Sequence, residues 1–278
     1  MQHDALPPFL LIFDLDGVLY RGETALPDAA GTVDALRAAG FQIAFMTNNA
    51  WSRAEEFAAK LTRLGIRAEP QEVMTSAIGT AQLIREECGP CRVLAIGGPG
   101  LRSYLAEAGL VVITPDEPEV AVDAVAVGID WEFSYSKLAR AQQALLNGAR
   151  FYATNIDPRY PIENGRFNPG AGSIVAAIST ASGVTPIIVG KPASTCFELM
   201  MEERACPPKK TLIVGDQLAT DIIAGNRAGC RTALITTGVS TREEAEILRG
   251  TGRPTFIYDS LTELASALIQ DELLVVRP

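Results

Sequence analysis

Short, mainly apolar runs recur along this chain, each followed by a polar turn and then a stretch with helical spacing. The first, Phe9-Leu10-Leu11-Ile12-Phe13, has no polar residue, the pattern of a strand covered on both faces. Similar runs at 41–46, 187–189, 211–214, 231–235 and 256–258 alternate with helical segments. Such β-α alternation predicts a parallel sheet with right-handed crossovers, hence an α/β chain with a Rossmann-like, doubly wound core. From Ser76 the rhythm changes. A helical segment to Glu87 leads to strand-like runs at 92–96, 111–113, 124–129 and 151–154, with helical spacing at 101–108 and 136–146. These units predict a smaller α/β domain, residues 79–187, inserted into a core made of residues 1–78 and 188–278.

Each core run hands the chain on to a different polar group. Asp14-Leu15-Asp16-Gly17 comes after the first, Thr47-Asn48-Asn49 after the second, Gly190-Lys191-Pro192 after a third, and Gly215-Asp216, with Asp221 beyond, after a fourth. In a parallel sheet these strand ends share one edge, where open α/β sheets bind their ligands. Clustered carboxylates repel one another unless a cation neutralises them, and an oxygen-only donor set points to Mg2+. A hydroxyl, amides and an ammonium facing that metal suit a dianionic phosphoryl group. The single histidine, His3, lies near the start of the chain, so histidine acid/base chemistry is not expected. A carboxylate is left to act as nucleophile and proton carrier.

Other features narrow the field. A formal net charge of -9 over 278 residues argues against a broad nucleic-acid surface. Residues 1–8 lack the basic and apolar regions of a signal peptide, and the apolar runs are too short to span a bilayer, so a cytoplasmic protein is expected. Cys88-Gly-Pro-Cys91 matches a redox motif by letters, but a helical segment precedes it and a strand comes after it, the reverse of the thioredoxin order. It reads as a helix-to-strand turn. The glycine loop after Ile96 fails the dinucleotide fingerprint, because Ser103 holds the last glycine position. The long polar stretch 155–172 reads as a functional loop, in which Tyr160, Arg159 and Arg166 are candidate substrate contacts.

Taken together, Asp14-Leu-Asp-Gly, Thr47-Asn48-Asn49, Gly190-Lys191-Pro192 and Gly215-Asp216 with Asp221 resemble the four signature motifs of haloacid dehalogenase-superfamily phosphatases. The insertion resembles their C2-type cap, pointing to the NagD-like, p-nitrophenyl phosphatase-like subfamily. The resemblance implies that Asp14 is the nucleophile, forming an aspartyl-phosphate, and that Asp16 is the acid and then the base. It also implies that Thr47, Asn48, Asn49 and Lys191 hold the phosphoryl oxygens. Asp14, the Asp16 main-chain carbonyl and Asp216 would bind Mg2+, with Asp221 ordering metal-bound water from behind. The expected substrate is a small phosphorylated metabolite such as phosphoglycolate, a sugar phosphate or a nucleoside monophosphate, and a homodimer is compatible with this group. Relatives acting on pyridoxal phosphate carry His where this chain has Tyr160, a departure that argues against that substrate. A dehalogenase would lack Asp16, and phosphomutases usually carry other caps. The alternative outside catalysis is a protein that binds or senses phosphometabolites on the same fold. It would be expected to have lost Asp14, Asp16 or Lys191.

Overall fold

A computed structural model describes residues 9–161 and 166–270. His3 and part of the expected functional loop, residues 162–165, lie outside the described residues. The chain divides into two compact units, one formed by Met1–Met46, Glu55–Val73 and Pro192–Pro278, the other by Thr47–Ala54 and Met74–Lys191.

The larger unit is built on a six-stranded sheet in the order Phe256–Tyr258, Arg231–Ile235, Thr211–Gly215, Leu10–Asp14, Gln42–Thr47, Val73–Thr75. The division between units falls at the second residue of that last strand. Leu10–Asp14 is central and pairs in parallel with Thr211–Gly215 on one side and Gln42–Thr47 on the other. Its Leu10, Leu11, Ile12 and Phe13 have no accessible surface, as an unbroken apolar run requires. The helices Ala29–Ala38 and Leu261–Ile269 turn Val33, Leu36, Leu261, Leu264 and Leu268 inward at helical spacing.

The smaller unit holds a five-stranded parallel sheet in the order Ile187–Ile188, Arg150–Ala153, Ala124–Val127, Arg92–Ile96, Val111–Ile113. Helices Tyr135–Leu146 and Ala171–Ser182 cover one face, burying Ala141, Leu145, Ile174 and Ile178 against Val125, Val127 and Phe151. Cys88-Gly-Pro-Cys91 is the bend between the helix Ser76–Cys88 and the strand Arg92–Ile96. The glycine loop after Ile96 leads directly into the helix Pro99–Glu107, so it is a strand-to-helix turn.

One expectation needs correction. The run 187–189 reads as a core strand, but Ile187–Ile188 pairs with Tyr152 and Ala153 at the edge of the smaller sheet. Only two residues long, with Ile187 36% exposed, it is an edge strand, and its apolar letters do not say which sheet receives it. Lys191 therefore comes after a strand of the smaller sheet. Part of the 155–172 stretch is also regular, since Arg159–Pro161 and Phe167–Pro169 form an antiparallel pair.

Candidate active site

In the larger unit, strand register assembles the acidic centre. Phe13 lies opposite Val214, so Asp14 emerges beside the Gly215-Asp216 turn, and Asp14 itself lies opposite Met46. Asp14, Asp216 and Asp221 each offer a carboxylate oxygen, and these oxygens lie within 4.8 Å of one another. Asp216 and Asp221 are buried, with 3% and 1% exposure. Carboxylates this close repel one another, so a divalent cation is their natural complement. The residues present fit Mg2+: all three side chains are hard oxygen donors.

Glycines set the spacing. Gly17 adopts φ +83, and a Cβ there would run into the Asp216 carboxylate, so the glycine of the first motif serves both the turn and the close approach. A Cβ at Gly238 would strike the same carboxylate, and one at Gly215 would strike the Asp221 side chain. Hydrogen bonds then fix the direction. The Val239 N–H donates to Asp216 Oδ2 at 2.8 Å, and the Gln217 N–H donates to Asp221 Oδ2 at 3.1 Å. Ser240 joins both parts: its N–H donates to the Asp216 carbonyl at 3.0 Å and its hydroxyl accepts from Leu218 N–H at 3.0 Å. Asp221 sits in a π-helical turn, Leu218–Ile222, whose extra residue re-aims side chains, as π-turns often do at functional sites. The 238–240 turn was missed from sequence because no carboxylate marks it. The glycine at 238 is its one visible signal.

Asp16 is not part of the three-carboxylate cluster. It is solvent-accessible on one side, yet the surrounding protein raises its pKa above the usual carboxylate range. Burial is the largest cause. The Lys60 charge, a hydrogen bond from the Gly22 main chain and the Arg21 charge oppose it. Lys60 is itself held over the Tyr20 ring, 4.0 Å from its centroid, and within 3.2 Å of Glu23. A carboxyl poised this way can carry a proton.

In the smaller unit, Thr47, Asn48 and Asn49 open the turn that continues the chain after Met46, the register partner of Asp14. The Asn48 side-chain amide donates to Asp157 Oδ2 and to the Lys191 carbonyl, each at 2.9 Å. Its main-chain carbonyl accepts from the Ser76 hydroxyl at 2.6 Å and from Asn155 Nδ2 at 2.8 Å. Asn49 Oδ1 accepts from Trp51 N–H at 2.9 Å, and Asn49 N–H donates to the Thr47 hydroxyl oxygen at 3.1 Å. The structure thus engages both asparagine side chains in internal bonds and leaves the Thr47 hydroxyl a proton to donate. Asp157 was overlooked in the sequence, since an acid in a polar loop carries no periodic signal. Lys191 is buried, 4% exposed, a position an ammonium tolerates only where anions or hydrogen-bond acceptors meet it.

The cap candidates fare differently. Tyr160 packs edge-on against Trp131 at 5.4 Å between centroids, and Trp131 lies 5.8 Å from Trp51, forming an aromatic row. Arg159 is exposed, its guanidinium 5.8 Å from the Phe167 ring centroid. Arg166 is exposed. Trp131 also lines a cavity of about 310 Å³ with Asp130, Phe133, Asn168 and Ser173.

Comparison with known proteins agrees with this chemistry. Residues 11–111 match the family of haloacid dehalogenase-like hydrolases, and residues 188–264 match a second, related haloacid dehalogenase-hydrolase-like family. The chain is 38% identical to chronophin of Mus musculus, covering 93% of this chain and 92% of that protein. It is 36% identical to the glycerol phosphate phosphatase of Mycobacterium tuberculosis crystallised with magnesium, with a TM-score of 0.84 over 93% of this chain and 76% of that one. Against NagD of E. coli the identity is 30% and the TM-score 0.84, over 93% and 98% of the two chains. This chain belongs to the haloacid dehalogenase superfamily. Within it, the chain is a NagD-like phosphatase. Among the described residues, no helix is long and apolar enough to cross a membrane.

Proposed function

We propose that this phosphatase is Mg2+-dependent and hydrolyses small phosphate monoesters through an aspartyl-phosphate. Phosphoglycolate, sugar phosphates, nucleoside monophosphates and p-nitrophenyl phosphate all belong to the class. The observation that carries the reading is the convergence of Asp14, Asp216 and Asp221, with Asp16 held above the usual carboxylate range. Mg2+ bound by Asp14, the Asp16 main-chain carbonyl and Asp216, with Asp221 behind, would neutralise phosphoryl charge.

In the first step an Asp14 carboxylate oxygen bonds to phosphorus while the ester P–O bond breaks. The leaving oxygen takes the Asp16 proton. In the second step Asp16, now a carboxylate, removes a proton from water as the water oxygen attacks phosphorus. The Asp14–phosphorus bond breaks, releasing phosphate and restoring Asp14. The Thr47 hydroxyl and the Lys191 ammonium hold phosphoryl oxygens. Asn48 acts by shaping the turn that presents Thr47, because its amide hydrogens already serve Asp157 and the Lys191 carbonyl. Asn49, whose side-chain oxygen accepts from Trp51 N–H, offers its amide hydrogens to a phosphoryl oxygen. The unit built on the six-stranded sheet acts as the catalytic core and the unit built on the five-stranded sheet as its cap, with Tyr160, Arg159 and Arg166 on the cap's substrate-binding loop.

Hydrolysis of p-nitrophenyl phosphate tests the reading. Turnover with Mg2+ is expected to disappear with EDTA and in Asp14→Asn, while Asp14→Asn keeps the wild-type circular dichroism spectrum. Turnover that persists in folded Asp14→Asn would remove Asp14 as nucleophile. Turnover indifferent to EDTA would remove the metal.

A further inference from the structure

Phosphoryl transfer has no use for the side chains gathered where the helix Ser76–Cys88 ends. The chain bends through Gly89, with φ +67, and Pro90 before entering the strand at Arg92. Cys88 is partly exposed and Cys91 is buried. Both are free thiols. Cys88 Sγ lies 3.5 Å from the Tyr152 hydroxyl and 3.7 Å from Arg150 Nη1. Tyr152 is fully buried and donates its hydroxyl proton to Glu87 Oε2 at 2.6 Å, and Arg150 Nη2 pairs with the same carboxylate oxygen at 2.6 Å. Burial first, and then the Cys88 sulfur beside it, push the Cys91 thiol up to about 11.

The two sulfurs differ in what they can do. Cys88 is reachable by a small oxidant and has the Arg150 guanidinium at its sulfur, a positive charge that offsets the negative end of the helix dipole and suits the charge that builds on sulfur as it attacks. Cys91 stays a neutral thiol next to it, the position of a resolving cysteine. We propose that Cys88 and Cys91 form a reversible redox pair: a hydroperoxide oxidises Cys88, and Cys91 closes an intramolecular disulfide.

The Cys88 sulfur attacks one peroxide oxygen and the O–O bond breaks. The departing oxygen takes the proton that the thiol gives up, leaving a sulfenic acid on Cys88 and an alcohol or water. The Cys91 sulfur then attacks the Cys88 sulfur. The S–O bond breaks, and the hydroxide leaves with the Cys91 proton as water. Two thiols give up two electrons to one hydroperoxide. A dithiol reverses the change by exchange.

Intact mass of the full chain after hydrogen peroxide, at one equivalent, tests the pair. The expected result is a loss of about 2 Da, reversed by dithiothreitol and mapped to the peptide joining Cys88 and Cys91. Cys88→Ser should not lose this mass. Cys91→Ser should stop at a Cys88 sulfenic acid that dimedone traps. Arg150→Gln should slow oxidation several-fold, with Arg150→Lys restoring much of the rate. An unchanged wild-type mass would overturn the proposal. So would a gain of about 32 Da on Cys88 without a disulfide, or a disulfide confined to Cys196, Cys206 and Cys230.

Discussion

In the larger unit, Asp216 and Asp221 are confined by missing side chains, with glycines at 17, 215 and 238 letting backbone and carboxylate approach. In the smaller unit Asn48 is confined by its own hydrogen bonds to Asp157, Lys191, Ser76 and Asn155. The first device brings the carboxylates together as a group of hard oxygen donors. The second consumes the side chain's donors, so the residue acts through the shape it imposes. On the proposed function, a polar motif residue is thus a ligand in one unit and a brace in the other.

Substitutions that separate ligand from brace should rank accordingly. Asp16→Asn should show the largest effect, a fall in kcat of about 100- to 10,000-fold, because it removes the proton carrier. Its pH behaviour carries the sign of the shift. The folded-state pKa of Asp16 is raised, so the acid form needed in the first step is lost as pH rises through that value. For stability the same sign applies: the favourable protonated state contributes below the unfolded carboxylate pKa and is lost as pH rises through the raised one. Asp16→Asn should therefore be at least as stable as wild type at neutral pH, an advantage that shrinks in acid. A kcat that Asp16→Asn leaves unchanged, or a neutral-pH denaturation midpoint well below wild type, would contradict this assignment.

Gly238→Ala comes next. Its methyl group would displace the Asp216 carboxylate, raising the Mg2+ concentration for half-maximal activity by about 10- to 100-fold, the cost usual for disturbing a ligand's support. Saturating Mg2+ should recover much of kcat. An unchanged Mg2+ titration would mean that Asp216 tolerates the shift and that glycine spacing does not define the centre.

Asn48→Ala is expected to act mainly on stability, by about 1–3 kcal/mol, since it takes a hydrogen-bond donor away from the Lys191 carbonyl and from Asp157. Urea denaturation would measure it, with Asn48→Asp as comparison, because the aspartate cannot donate and places a second charge beside Asp157. If Asn48→Ala left the urea midpoint unmoved and abolished turnover, Asn48 would be a ligand like the aspartates.

Much of the larger unit was legible in the letters. Leu10–Phe13 could only be a covered strand, and its exit at Asp14-Leu15-Asp16-Gly17 placed carboxylates at a sheet edge. The alternation of runs and helices fixed parallel pairing, and with it the meeting of Asp14 and Asp216. Less could be read where the signal is short or aperiodic. Ile187–Ile188 is too brief to choose its sheet, and Asp157 and the 238–240 turn lie in stretches where no periodicity marks a partner.

Periodicity and strand-end chemistry are local, so the sequence alone determined the α/β architecture, the acidic centre and the phosphatase motifs. Tertiary structure decided which polar residues have their hydrogen bonds already filled, where a glycine makes room for a carboxylate, and that burial lifts the Asp16 pKa. Those properties belong to atoms brought together from distant segments. They depend on distances and desolvation, which no single stretch of chain contains.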